Sequence, residues 1–165
     1  MWLHVQPLNA EAFAPFGKVV LLPQTAPTAS VEGLDYWADV AIMPPVDGSV
    51  SIGYVTLEPR PFVQTCAEAH LHTAECLLPV KGDMLVVVGL PPVGSPPETL
   101  PAPNLFAAFR VAQGEAVILD PGVWHWAPFP VAGPIRLFVL LRAGTAANDV
   151  IFKEFPPGAL LDLEL

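Results

Sequence analysis

The chain has 165 residues, 53% of them hydrophobic and 14% charged. That length suits one domain spanning residues 1–165 with a large core, and the composition is too apolar for a disordered chain. Seven basic residues against sixteen acidic ones, a net charge of −9, exclude nucleic acid and an anionic membrane surface as partners, because both need a positive face.

No apolar run reaches the roughly 18 residues of a membrane helix. The N-terminal MWLHVQPLN lacks a basic region followed by an apolar block, so no signal peptide is expected and the expected location is the cytoplasm. In chain order, NAEAFAPFG (9–17) predicts a short helix. Asn9 can cap its first turn, Pro15 keeps it short and Gly17 can end it. LLPQTAPTAS (21–30) is small and polar and predicts an exposed loop. Short β-branched or aromatic runs then predict strands: KVVLL (18–22), SIGYVTLE (51–58), ECLLPV (75–80), DMLVVVGL (83–90), NLFAAFRV (104–111), EAVILD (115–120), VWHWAPF (123–129) and IRLFVLLR (135–142). Between them, LPPVGSPPETLPAPN (90–104) holds six prolines that deny it ladder hydrogen bonds, so it is a connection. FPVAGPI (129–135) reads as a tight turn, and GALLDLEL at the C-terminus as a further turn. Many short strands with Gly/Pro turns predict an all-β sandwich or barrel with one or two short helices.

Three of the four histidines fall in two short segments, HLHTAECLLPVKG (70–82) and PGVWHWAP (121–128). On a strand, His70 and His72 would project from one face, about 7 Å apart at the backbone. His125, on a strand paired with the first, would bring a third imidazole, and Glu75 would add an oxygen. Such a donor set suits a divalent transition metal: Ni, Zn, Mn, Fe or Co. His4 stands alone. Cys66 and Cys76 form no CxxC pattern and predict neither a zinc site nor a redox pair. Trp124 and Trp126 would face away from His125. Tyr36 and Trp37 suit an edge strand or a subunit seam.

The arrangement His70, His72, Glu75, Gly82 resembles the first cupin motif, and Gly114 to His125 (GEAVILDPGVWH) resembles the second. The gap between His72 and Glu75 is two residues, where cupins usually have three or four. A broader resemblance, to the ureidoglycolate lyases, rests on VQPLNAEAFAPFGKVV, GLDYWADVA, LLPVKGDMLVVV, NLFAAFRVAQGEAVILDPGVWHWAPFP and FVLLRAGTAANDV, in that order. It implies a cupin-type β-barrel (a jelly roll), usually dimeric. The implied activity releases urea from (S)-ureidoglycolate to leave glyoxylate in purine breakdown. The donor geometry and the cupin motifs make His70, His72, Glu75 and His125 the expected metal ligands; of these, the lyase resemblance itself carries His70 and His125. Glu75, Lys81 and His125 are the expected catalytic groups, with Glu75 or a metal-bound hydroxide as the base. Lys81 matches the family's Pro-x-Lys-Gly element and, with Arg142, is expected to bind the substrate carboxylate; Arg142 has Asp149 as an alternative partner. Two other functions share the fold: a metal cupin of different chemistry, such as an oxygenase or isomerase on a small organic acid, and a non-enzymatic small-ligand binder.

Overall fold

Met84–Gly89 is the hub of the architecture, a strand buried along its whole length. The computed structural model, which describes residues 1–165, shows where its two faces go. Successive residues of a strand project to opposite sides. Met84, Val86 and Val88 enter an inner core with Phe13, Phe109 and Leu137. Leu85 and Val87 enter an outer core with Trp124, Phe129 and Leu161. A strand buried on both faces has no need of polar alternation, hence the continuous run MLVVVG.

Two curled sheets enclose the inner core. Along the larger, nine-stranded sheet run Ile151–Glu154, Cys66–Ala69, Trp124–His125, Met84–Gly89, Phe106–Val111, Trp2–Pro7, Leu161–Glu164 and Val63–Gln64, with Phe129–Pro130 also paired to Met84–Gly89. The five-stranded sheet runs Gly17–Val20, Ala116–Leu119, Glu75–Lys81, Ile135–Arg142 and Val50–Leu57. Leu77, Val117, Leu119, Ile135 and Leu137 from this sheet close the inner core. The result is the cupin-type β-barrel predicted above. Ala29–Val31 and Leu34–Tyr36 form a separate hairpin, so the predicted loop 21–30 ends in a strand. No helix is long and apolar enough to cross a membrane.

The first helix spans Ala10–Phe13, and Asn9 Oδ1 accepts a hydrogen bond from the Ala12 amide at 2.8 Å. It stops well before Gly17, which instead opens a strand; Pro15 has no amide hydrogen with which to continue the helix. Phe13 is fixed edge-on against Phe109, with ring centroids 5.1 Å apart. The predicted C-terminal turn is corrected: Leu161–Glu164 is a strand parallel to Trp2–Pro7. Leu161 and Leu163 alternate into the outer core, and that pairing overrides local preference. A second short helix spans Thr145–Asn148. Both cysteines are free.

Candidate metal centre

The site begins with a turn. Asp120 to Val123 closes through the Val123 amide donating to the Asp120 carbonyl at 3.2 Å. Pro121 supplies the fixed φ of its second position, and Gly122, at φ +85°, the positive φ of its third, as a type II turn demands. The Gly122 amide also donates to the His70 carbonyl at 2.7 Å. The turn thereby launches Trp124–His125 between two strands, with His125 opposite Glu68 on one side and Val88 on the other.

Glu68, His70 and His125 each bring a donor atom to within 4.8 Å of the others'. Both rings are oriented from behind. His70 Nδ1 lies 2.6 Å from the Asp149 carbonyl, and His125 Nδ1 lies 2.9 Å from the Val123 carbonyl. A carbonyl only accepts, so each Nδ1 carries the hydrogen and each Nε2 is left for the centre. Glu75 stands beside both rings: its Oε2 is 2.7 Å from His125 Nε2 and 3.5 Å from His70 Nε2.

Burial alone would push the Glu75 carboxyl up; the charges of His125 and His70 overcome this and hold it below the ordinary value. Burial works against a charged His125, but Glu75, the Val123 carbonyl and Glu68 raise its pKa to about 9. Glu75 Oε2 and His125 Nε2 lie 2.7 Å apart, yet both are buried without a well-aligned hydrogen bond. Buried polar atoms left unpaired are costly. A cation held among these donors would remove that cost, and two imidazole nitrogens with a carboxylate oxygen suit a divalent transition metal. The residues present therefore fit a metal ion.

A cleft of about 370 Å³, lined by Glu68, His70, Glu75, Leu141, Thr145, Ala146 and Val150, opens onto this cluster. A neighbouring space of about 360 Å³ shares Glu75, Leu141, Thr145 and Ala146 and reaches Ser51, Gly53 and Tyr54. No lysine or arginine lines either. A larger groove, about 480 Å³ beside Val5 to Leu8 and Arg110, gathers no such set of metal donors; its one cation, Arg110, is bound to Asp83 at 2.7 Å.

A family model described as ureidoglycolate lyase matches residues 1–159. The chain belongs to the ureidoglycolate lyase family. A ureidoglycolate lyase of Rhodobacter capsulatus is 30% identical, with 93% of this chain and 92% of the relative covered. Another, from Azotobacter vinelandii, is 26% identical, with 88% of each covered. A solved dTDP sugar isomerase from Desulfovibrio desulfuricans G20 aligns at TM-score 0.46 and 18% identity, over 86% of this chain and 85% of that one.

In this member of the ureidoglycolate lyase family, the structure brings together His70, Glu75 and His125 and leaves out His72 and Lys81. The 70–72 segment is a bend rather than a strand, so the same-face rule does not join the two histidines. His72 is 68% exposed at its side chain, and its Nδ1 lies 2.9 Å from Asp149 Oδ1. The oxygen and nitrogen donors two residues apart that do converge are those of Glu68 and His70, at the end of Cys66–Ala69. Glu68 was missed, yet its spacing is legible: four residues separate His70 from Glu75 and six separate Glu75 from Gly82. That is the cupin gap the His70–His72 register lacks.

Lys81 is exposed at the other end of Glu75–Lys81 from the cluster. Six residues of extended chain place its backbone about 20 Å from that of Glu75. Arg142 Nη2 is 3.8 Å from Asp149 Oδ2, so the protein carboxylate is its partner. Trp124 does face away from His125: it is fully buried in the outer core, and its Nε1 donates to the Pro97 carbonyl at 3.3 Å. The proline-rich loop therefore lies behind the sheet. Lys153 Nζ, 2.6 Å from the Glu98 carbonyl, pins it there.

Proposed function

We propose that this chain is a metal-dependent carbon–nitrogen lyase that releases urea from (S)-ureidoglycolate and leaves glyoxylate. One observation carries the proposal: the buried His70 and His125 meet a half-buried Glu68, with Glu75 against them, in a member of the ureidoglycolate lyase family. Glu68, His70 and His125 would hold the ion, one of Ni, Zn, Mn or Fe. When bound, it supplies the positive charge that the cleft lacks and lowers the pKa of a nearby hydroxyl.

Glu75 is the base in this scheme. Its carboxyl is held below the ordinary value, so it stands ionised at neutral pH and can accept a proton, and its Oε2 reaches the cluster 2.7 Å from His125 Nε2. It takes the proton of the substrate hydroxyl, the oxygen's electron pair forms the carbonyl of glyoxylate, and the C–N bond breaks. The proton passes to the departing nitrogen, which completes urea. Thr145 and Ser51 line the space where the ureido group would lie.

The chain is proposed to act as one domain in the cytoplasm, as a homodimer. The outer side of the five-stranded sheet offers the contact, since Ile52, Tyr54 and Phe138 are exposed there and contiguous apolar patches mark interaction sites. Light scattering tests the dimer. The activity is tested by elemental analysis of the purified protein and by assay of urea and glyoxylate from (S)-ureidoglycolate. Metal-loaded protein that releases neither product would refute the lyase, and oxygen uptake in its place would identify an oxygenase.

A further inference from the structure

We propose that Asp149 is the positioning residue of the metal centre: from outside the cluster it holds the 70–72 bend so that Nε2 of His70 points at Glu68 and His125. The inference rests on the metal reading given above. His70, Leu71 and His72 lie beyond the last residue of Cys66–Ala69, so no sheet ladder sets the His70 ring. Asp149 replaces that ladder. Its carbonyl takes the Nδ1 hydrogen of His70 at 2.6 Å. Its carboxylate accepts from the Leu71 amide, the His72 amide and His72 Nδ1, each at 2.9 Å. One residue thus grips three consecutive residues, through backbone and side chain together.

Asp149 is itself fixed. Its amide donates to the Thr145 carbonyl at 2.9 Å. Thr145 Oγ1 donates to the Arg142 carbonyl at 2.8 Å, and the Arg142 amide donates to Thr73 Oγ1 at 3.0 Å. The segments 142–149 and 70–73 are therefore stapled at both ends. A carboxylate only 5% exposed persists when nearby donors hold it, and here the donors belong to the bend that carries a ligand. His72, whose spacing suggested a ligand, is part of this latch.

Groups that orient a metal ligand from behind typically change metal affinity ten- to hundredfold. The test compares zinc dissociation constants, from competition with a chromogenic chelator, for wild type, Asp149→Ala and Asp149→Asn. Absorption spectra of the cobalt(II)-loaded proteins accompany them. Asp149→Asn is nearly isosteric and carries the test if Asp149→Ala fails to fold, because one amide oxygen cannot serve three donors. The expected result is a dissociation constant raised about ten- to hundredfold, with a shifted cobalt spectrum. His72→Ala, which leaves both backbone bonds in place, is expected to stay within a few-fold of wild type. A purely structural aspartate would lower the thermal stability of the metal-free protein while leaving zinc affinity within twofold and the cobalt spectrum unchanged; that outcome overturns the inference. Failure of wild type to bind zinc or cobalt would remove the metal reading itself, and the inference with it.

Discussion

Glu68 and His125 face each other directly across two antiparallel strands. Opposed residues of such a pair have Cβ atoms about 5 Å apart, so the register of one short strand brings together two of the three donors of the candidate metal centre. Replacing His70, His125 or Glu68 with alanine is therefore expected to strip bound metal, as measured by elemental analysis after dialysis. His72→Ala is expected to keep it. Full metal occupancy in His125→Ala would remove that residue from the ligand set.

Glu75→Gln separates base from ligand. The amide keeps the size of the side chain and loses its basicity. Turnover is expected to fall about 100- to 10,000-fold while metal content holds. A variant that loses its metal would instead make Glu75 a fourth ligand.

Gly53 sits in Val50–Leu57 with nothing in the local packing to demand glycine. A Cβ there would meet the Val139 carbonyl oxygen at 3.6 Å and Val139 Cβ at 3.8 Å, ordinary contacts. Glycine inside a strand commonly marks a close approach by a ligand, and Gly53 lines the space that reaches Glu75. Gly53→Ala is expected to gain roughly 0.5–1 kcal/mol of stability, from relief of glycine's chain entropy. Gly53→Val is expected to raise KM with metal content unchanged. An unaltered KM would place the substrate elsewhere.

Phe109 joins the first helix to the barrel. It is buried and meets Phe13 and Phe16 at centroid distances of 5.1 and 6.1 Å. Phe109→Ala is expected to cost about 3–5 kcal/mol by denaturant unfolding. A loss below about 1 kcal/mol would mean that the cavity collapses.

Asp83 ties two turns together, accepting from Arg110 Nη2 at 2.7 Å and from the Gln113 amide at 2.9 Å. The Arg110 hydrogen bonds, then the Gln113 amide, hold its carboxyl below the ordinary value. A carboxyl lowered in the folded state stabilises the fold above its unfolded pKa of about 3.9, and that stabilisation is lost as pH falls through the lower folded value. Asp83→Asn is expected to cost roughly 1 kcal/mol at pH 7, after allowance for partial exposure. The gap to wild type should close in urea titrations at pH values below about 4. A gap independent of pH would assign the effect to shape rather than charge.

The barrel was legible because its strands are strongly apolar and punctuated: Ile135–Arg142 has the predicted bounds, and Met84–Gly89 and Phe106–Val111 lie within theirs. The missed strands are those whose composition hides them. Cys66–Ala69 reads CAEA, small residues around one charge, and nothing in it suggests a pleated surface. Because composition hides that strand, the same-face rule falls on His70 and His72, two residues beyond the pair Glu68 and His70 that the fold brings together. Asp149 was visible as a partner for Arg142. Its grip on the 70–72 bend depends on a contact 79 residues away in sequence, which spacing alone does not encode.

The anchoring of the proline-rich connection beneath Trp124 separates two kinds of evolutionary freedom. Insertions and deletions between residues 90 and 104 fall on the reverse of the wall that carries His125, so this stretch can drift in length while the reacting groups keep their places. The short Thr145–Asn148 turn, which forms the rim of the cleft, has no such latitude.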